Sequence, residues 1–194
     1  MKIVDVTLTL FAWEGLQPVK YSAHVRSTRT SCPLALLQVH TDEGITGRAF
    51  IGSPVSPGDA DAQRLIDILK PIVMGQDPLR REELHRRMWG RVRAATVRTV
   101  GAMDVALWDI AGQAAGLPIH ALIGTFRDSL PVYASSPAHD RIEDYIEEAR
   151  LWQSRGVNAY KIHAPAPWKH DIATCEAVRH ALGDEMVLML DASW

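Results

Sequence analysis

The stretch "VNAYKIHAPAPWKHDIATCEAVRHALGDEMVLMLDAS", Val157 to Ser193, decides how the second half of the chain is read. "VNAYKIHA" is strand-like, "HDIATCEAVRHALG" spaces its apolar residues as a helix does, and "MVLMLDAS" is an apolar strand ending on a carboxylate. Upstream, "RIEDYIEEARLWQSRG" (Arg141–Gly156) is an amphipathic helix and "LPVYASS" (Leu130–Ser136) a short strand. The order is β-α-β-α-β with uninterrupted apolar strands. That grammar predicts a parallel sheet joined by right-handed crossovers.

The first half reads differently. "KIVDVTLTLF" is a strand, followed by a polar loop around "EGLQPVKYSAH". "PLALLQVHTDEGITGRAF" predicts a hairpin turning at Asp42-Glu43-Gly44, hence a small antiparallel sheet. After the Pro/Gly loop "SPVSPGD" come three helices. The first carries Leu65, Ile66, Ile68, Leu69, Ile72 and Val73 at helical spacing, with Asp59 or Asp61 as its cap and Gly75 as its end. The second has Pro78 in its first turn. The third, "TVGAMDVALWDIAGQAAG", is rich in small residues that allow close packing, and Gly116-Leu117-Pro118 stops it. The expected organisation is an α+β domain over residues 1–125 and the start of a parallel α/β domain over 126–194. The sheet of that second domain is expected to be completed by something beyond its three strands.

Bulk properties narrow the function. Hydrophobic residues make up 47% of the 194 residues, typical of a globular protein with a good-sized core. A formal net charge of −2 argues against a dedicated nucleic-acid binder. The arginines Arg80, Arg81, Arg86, Arg87, Arg91 and Arg93 are interrupted by Glu82 and Glu83 and suit a solvated helix face. No apolar run approaches the roughly 20 residues of a membrane helix. The N-terminus lacks the apolar core of a signal peptide, and the two cysteines, Cys32 and Cys175, imply no disulfide framework. The expected location is the cytoplasm.

Residues i and i+2 of a strand share a face, so Lys161 and His163 point the same way, with Ile162 opposite. Functional side chains of parallel α/β folds gather at the carboxyl ends of strands. Ser135 and Ser136 follow the first strand, Lys161 and His163 end the second, and Asp191 ends the third. Singly, each has a plain structural reading: a solvated lysine, an ordinary histidine, a turn-forming aspartate. Together, on consecutive strands, they form a candidate site. Asp191 suits a hard cation such as Mg²⁺. Such an ion would stabilise the enediolate formed when the proton α to a substrate carboxylate is removed. Lysine or histidine can remove that proton, and a neighbouring cation would press both toward their neutral, basic forms.

The stretch "VGAMDVALWDIAGQAAGLPIHALIG" (Val100–Gly124) resembles the signature of the mandelate racemase/muconate lactonizing enzyme family of the enolase superfamily. The resembling features are Asp104, Ala106-Leu107, Asp109, Gly112-Gln113, Pro118, Leu122 and Gly124. "HTDEGITGRAF" is similar to the family's first hairpin, "YKIHAP" to its Lys-x-Lys motif, and "LMLDASW" to the strand of its first metal-binding aspartate. The resemblance implies an α+β capping domain followed by the first β/α units of a modified TIM (β/α)7β barrel. It implies Asp191 as the first of three carboxylate ligands to Mg²⁺, and Lys161 as the lysine that tunes its neighbour and faces the substrate carboxylate. His163 stands where the family usually has a second lysine. In members of that kind a histidine on a later strand commonly abstracts the proton, and dehydration of sugar acids is the common outcome.

The capping domain would set specificity through "EGLQPVKYSAHVR" (Glu14–Arg26) and "GSPVSPGD" (Gly52–Asp59). Tyr21 and His24, with Lys20 and Arg26, offer hydrogen-bond donors to a polar acid. The expected activity is a Mg²⁺-dependent lyase that dehydrates a sugar acid, with a racemase, epimerase or cycloisomerase as the alternative. Alone, residues 1–194 are expected to be inactive. A reading of another class is a non-catalytic homologue acting through oligomerisation. A Schiff-base aldolase using Lys161 would need neither Asp191 nor the helix signature. The expected partners are a small-molecule carboxylate and further copies of the chain, without nucleic acid or membrane.

Overall fold

The computed structural model describes residues 1–16, 19–20, 26–27, 30–53, 57–164 and 167–192. The chain divides into two compact units, Met1–Leu16 with Arg29–Phe126, and Gln17–Thr28 with Arg127–Trp194. Its strands in chain order are β1 (Ile3–Glu14), β2 (Val19–Lys20), β3 (Arg26–Ser27), β4 (Ser31–Thr41), β5 (Thr46–Ile51), β6 (Ala134–Ser135), β7 (Ala159–His163) and β8 (Val187–Asp191).

In the first unit β1, β4 and β5 form an antiparallel sheet in the order β1-β4-β5. The hairpin between β4 and β5 turns at the expected residues. Gly44 takes φ 82°, and the Thr41 hydroxyl and backbone N–H both donate to the Ile45 carbonyl. A left-handed residue suits glycine, which has no Cβ to clash. Alternate residues of β4, Ala35, Leu37 and Val39, are buried on one face. That face meets α5 (Val97–Ala115) through Val100, Met103, Ala106, Leu107 and Ile110. Gly116 ends α5 in the left-handed conformation at φ 64°, as expected from its position.

The helices before α5 depart from the sequence reading in three places. The first helical segment is α1 (Asp59–Arg64), a π-helical turn over Leu65–Leu69, and α2 (Lys70–Val73). Pro71 accounts for the widened turn, since a proline ring clashes with the carbonyl four residues back in a regular α-helix. Asp61 is no cap: it is 0% exposed and lies 2.7 Å from the Arg98 guanidinium. A carboxylate this deeply buried is stable only when paired. Pro78 precedes its helix rather than joining it. Asp77 holds a turn by accepting the Leu79 N–H at 3.0 Å, α3 begins at Arg81 (Arg81–Trp89), and α4 (Val92–Ala95) follows separately. The short α6 (Ile119–Leu122) comes after α5.

The signature residues of α5 have local work to do on the sheet edge. β5 is an edge strand with one row of backbone groups turned away from β4. Asp109 accepts the Arg48 N–H at 2.8 Å, and the Gln113 amide donates to the Thr46 carbonyl at 2.9 Å. Two side chains thereby satisfy backbone groups that the ladder leaves open.

The second unit holds β6, α7 (Ile142–Ser154), β7, α8 (Trp168–Leu182) and β8, with a parallel sheet in the order β6-β7-β8. The strand expected over Leu130–Ser136 is only Ala134–Ser135, and Leu130 and Val132 are exposed. Tyr145 and Ala149 of α7 and Val178 and Leu182 of α8 pack on Tyr160 and Ile162 of β7. One face of the sheet is thus the core, and Lys161 and His163 occupy the other. The short β2–β3 hairpin belongs to this unit, where the Lys20 carbonyl accepts the Ala138 N–H and the Lys20 ammonium lies 2.5 Å from Asp140. Each unit has one free thiol: Cys32 is buried in the first, and Cys175 is half-buried in the second. Among the described residues no helix is long and apolar enough to cross a membrane.

Candidate functional site

The site is built by register. In the parallel ladder His163 stands opposite Asp191, Lys161 opposite Met189, and Ser135 opposite Lys161. The alternation of β7 buries Tyr160 and Ile162 and leaves Lys161 and His163 on the facing side, as the i, i+2 spacing predicts. The adjacent strand ends therefore bring Ser135, Lys161, His163 and Asp191 together.

The distances define a small polar cluster. Lys161 Nζ lies 2.8 Å from Asp191 Oδ2, and His163 Nε2 lies 3.5 Å from the same oxygen. His163 Nδ1 is 3.4 Å from Ser135 Oγ. An ionised carboxylate only accepts hydrogen bonds, so the nitrogen facing Asp191 is the one suited to carry hydrogen; Nδ1 is then left to accept from the Ser135 hydroxyl. The strand end is braced behind the ring: the His163 N–H donates to Ser136 Oγ at 3.0 Å, and the Tyr145 hydroxyl donates to the His163 carbonyl at 2.8 Å. The Ala164 N–H continues the ladder to the Asp191 carbonyl. The Tyr133 ring lies 5.6 Å from the Lys161 ammonium.

The dominant influence on Lys161 is the hydrogen bond it donates to Asp191, which raises its pKa because the neighbouring carboxylate favours the charged ammonium. The lowering expected of Lys161 belongs to a site with a divalent cation bound beside it. Burial pushes Tyr145 up to about 12, and Tyr160 is raised further still, again chiefly by desolvation. Both phenols are neutral hydrogen-bonding groups at ordinary pH.

Asp191 is a half-buried carboxylate, an oxygen donor of the kind a hard cation takes. Among the described residues no three His, Cys, Asp or Glu side chains converge to hold a metal ion, so this cluster supplies one ligand and not a set. Tyr21 and His24 lie outside the described residues. Lys20, expected in the same group, has its ammonium engaged by Asp140. In the arginine cluster, Arg80 pairs with Glu83, Arg81 stacks 3.2 Å from the centroid of the Trp108 ring, and Arg87 donates to Gln76. These contacts engage Arg80, Arg81 and Arg87 within the molecule.

Tyr145 is the contributor that sequence reading passed over. At helical spacing it reads as one more core residue of an amphipathic face, and nothing in the pattern shows its hydroxyl reaching the next strand.

With this geometry in place, comparison with known proteins assigns the class. Residues 3–124 match the family model described as the mandelate racemase / muconate lactonizing enzyme, N-terminal domain. The chain belongs to this family of the enolase superfamily. The antiparallel sheet and its helices are the capping domain, and β6 to β8 with α7 and α8 are the first units of the barrel. The chain is 30% identical over 176 residues to L-talarate/galactarate dehydratase of Salmonella typhimurium, covering 84% of this chain and 43% of that protein. It is 29% identical over 168 residues to D-galactarolactone cycloisomerase of Agrobacterium fabrum, covering 81% of this chain and 43% of that one. The crystal structure of D-glucarate dehydratase from Agrobacterium tumefaciens complexed with magnesium superposes with a TM-score of 0.83 at 29% identity, covering 98% of this chain and 54% of that one. The chain thus spans about half the length of the relatives it matches.

Proposed function

We propose that this chain is part of an enzyme that removes the proton α to a carboxylate in a sugar acid and dehydrates the resulting enediolate. The observation that carries the reading is the convergence of Lys161, His163 and Asp191 within 3.5 Å at adjoining strand ends. The similarity to sugar-acid dehydratases supports the substrate class. The resemblance to a cycloisomerase of a sugar-acid lactone supports a second outcome for the same intermediate. In this reading residues 1–125 form the specificity domain and 126–194 the opening of the barrel, with Tyr21 and His24 as donors to the substrate's hydroxyl groups.

Lys161 offers a fixed positive charge to the substrate carboxylate, and His163 offers a ring nitrogen to accept or return a proton on one face. Asp191 would be one ligand to Mg²⁺, with the others coming from beyond the described residues. When bound, the ion would supply charge stabilisation to the enediolate. Residues 1–194 alone are accordingly expected to bind Mg²⁺ weakly and not to turn over.

The test uses the protein at the full length its gene encodes, incubated with hexarates and hexonates in D₂O, with and without Mg²⁺. Deuterium incorporation at the α carbon or formation of a keto acid, lost in Asp191→Ala with the fold intact, is the expected result. Turnover that survives both chelation and Asp191→Ala would refute the reading. Absence of turnover across the panel would favour the non-catalytic homologue.

A further inference from the structure

His163 is held unevenly. Its main chain makes two bonds of ordinary length, 3.0 Å to Ser136 and 2.8 Å from Tyr145, whereas its ring contacts are long, 3.4 Å to Ser135 and 3.5 Å to Asp191. Neither main-chain bond belongs to the backbone ladder. β6 ends at Ser135, and the Ser136 side chain takes over as acceptor where the ladder would have offered a carbonyl. The His163 carbonyl is claimed from helix α7 by a fully buried phenol.

That phenol is itself anchored. Its oxygen accepts the His139 N–H at 2.8 Å, and its ring meets the His139 imidazole edge-on with centroids 4.7 Å apart. His139 is held in turn by Glu148 at 2.8 Å. One hydroxyl thereby joins α7, the loop after β6, and the last residue of β7.

We infer that Tyr145 and Ser136 are positioning residues for His163, an inference that rests on the strand-end cluster being the reactive site. An imidazole is shorter and stiffer than a lysine side chain, so it cannot correct a displaced Cα by changing rotamer. Functional groups must be held within about 0.5 Å of their working place. A histidine at this position therefore needs its backbone fixed, and the two hydroxyls fix both of its polar main-chain groups.

The experiment is NMR of the ¹⁵N-histidine-labelled chain without substrate or metal, with the His163 signals assigned by their loss in His163→Gln. Tyr145→Phe and Ser136→Ala are expected to shift or split the His163 ring nitrogen signals. They should also speed amide exchange at His163 by about tenfold, the equivalent of one net hydrogen bond. Ser136→Thr, which keeps a hydroxyl, should restore the ring signals. Thr174→Val removes a buried hydroxyl of the same unit that bonds to the His170 carbonyl, and should leave them unmoved. If Tyr145→Phe does not fold, the Ser136 pair decides alone. Ring signals unchanged in the folded variants would overturn the positioning role, as would equal displacement by Thr174→Val. Because no turnover is measured, failure here is distinct from failure of the proposed chemistry.

Discussion

Gly47 of β5 lies directly against Ala106 of α5: a Cβ at Gly47 would stand 2.1 Å from the Ala106 carbonyl oxygen and 2.7 Å from Ile110 Cγ1. The obstructing atoms are largely backbone, so no rotamer change relieves the clash. Gly47→Ala should force helix and sheet apart and destabilise the first unit by about 3 kcal/mol, at the upper end for overpacking. Chemical denaturation followed by circular dichroism measures it; a change under 0.5 kcal/mol would show that the approach is looser than described.

Asp109 protects the open edge of β5 by accepting the Arg48 N–H. Asp109→Ala should cost about 1–2 kcal/mol, since a charged acceptor is lost. Hydrogen exchange at the Arg48 amide should rise while exchange in the middle of β4 changes only with global stability. Equal acceleration at both places would mean that Asp109 acts on the whole unit and not on the edge.

Among the described residues, Thr96 is the non-glycine residue with positive φ, at 83° with ψ 152°, and its hydroxyl accepts the Thr99 N–H at a long 3.4 Å. A β-branched residue is strained there by about 1–3 kcal/mol, while replacing an N-cap threonine by glycine costs only a few tenths. Thr96→Gly should therefore stabilise the protein, by about 1 kcal/mol. A lowered melting temperature would contradict this balance.

Stability should fall at both ends of the pH scale for identifiable reasons. Tyr145, Tyr160 and Lys161 all have folded pKa values raised above the model-compound values of 10.0, 10.0 and 10.5. The folded state then holds protons that the unfolded chain releases, so their contribution is complete below pH 10 and is lost as pH rises through the folded values. Asp5 is lowered below 3.8, chiefly by its hydrogen bond from Lys70, so its contribution is present above that value and is lost as pH falls through the folded one. Urea midpoints between pH 3 and pH 11 test both signs. An Asp5→Asn variant whose acid limb matches the parent's would remove Asp5 from the account.

Asp191→Asn should lower the Lys161 pKa toward its ordinary value, because the leading cause of its elevation is the hydrogen bond it donates to that carboxylate. A ¹³C-lysine titration reads the change directly. An unmoved Lys161 would separate the two groups in solution and weaken the case for a joint site.

Much of this structure can be read ahead of the coordinates wherever one residue type satisfies one local demand. Gly44 and Gly116 sit where left-handed backbone is required, and the alternation of β7 places Lys161 and His163 on one face. What escaped depends on partners distant in sequence. Asp61 resembles a helix cap until Arg98, thirty-seven positions on, is seen beside it. The widened turn at Leu65–Leu69 follows from Pro71, but helical periodicity alone cannot distinguish it from a continuous helix. In the site, strand order and spacing predict the meeting of three side chains. They do not predict that Asp191 engages Lys161 directly, or that a tyrosine from the helix behind secures the histidine.

The two cysteines give the molecule a pair of native clocks. Cys32 is enclosed in one unit and Cys175 partly covered in the other, and neither is held in a disulfide. The alkylation rate at each sulfur, read by peptide mass spectrometry under increasing urea, would report the opening of its own unit without any introduced label. Coincident curves would mean that the halves melt as one cooperative body; separated curves would rank them.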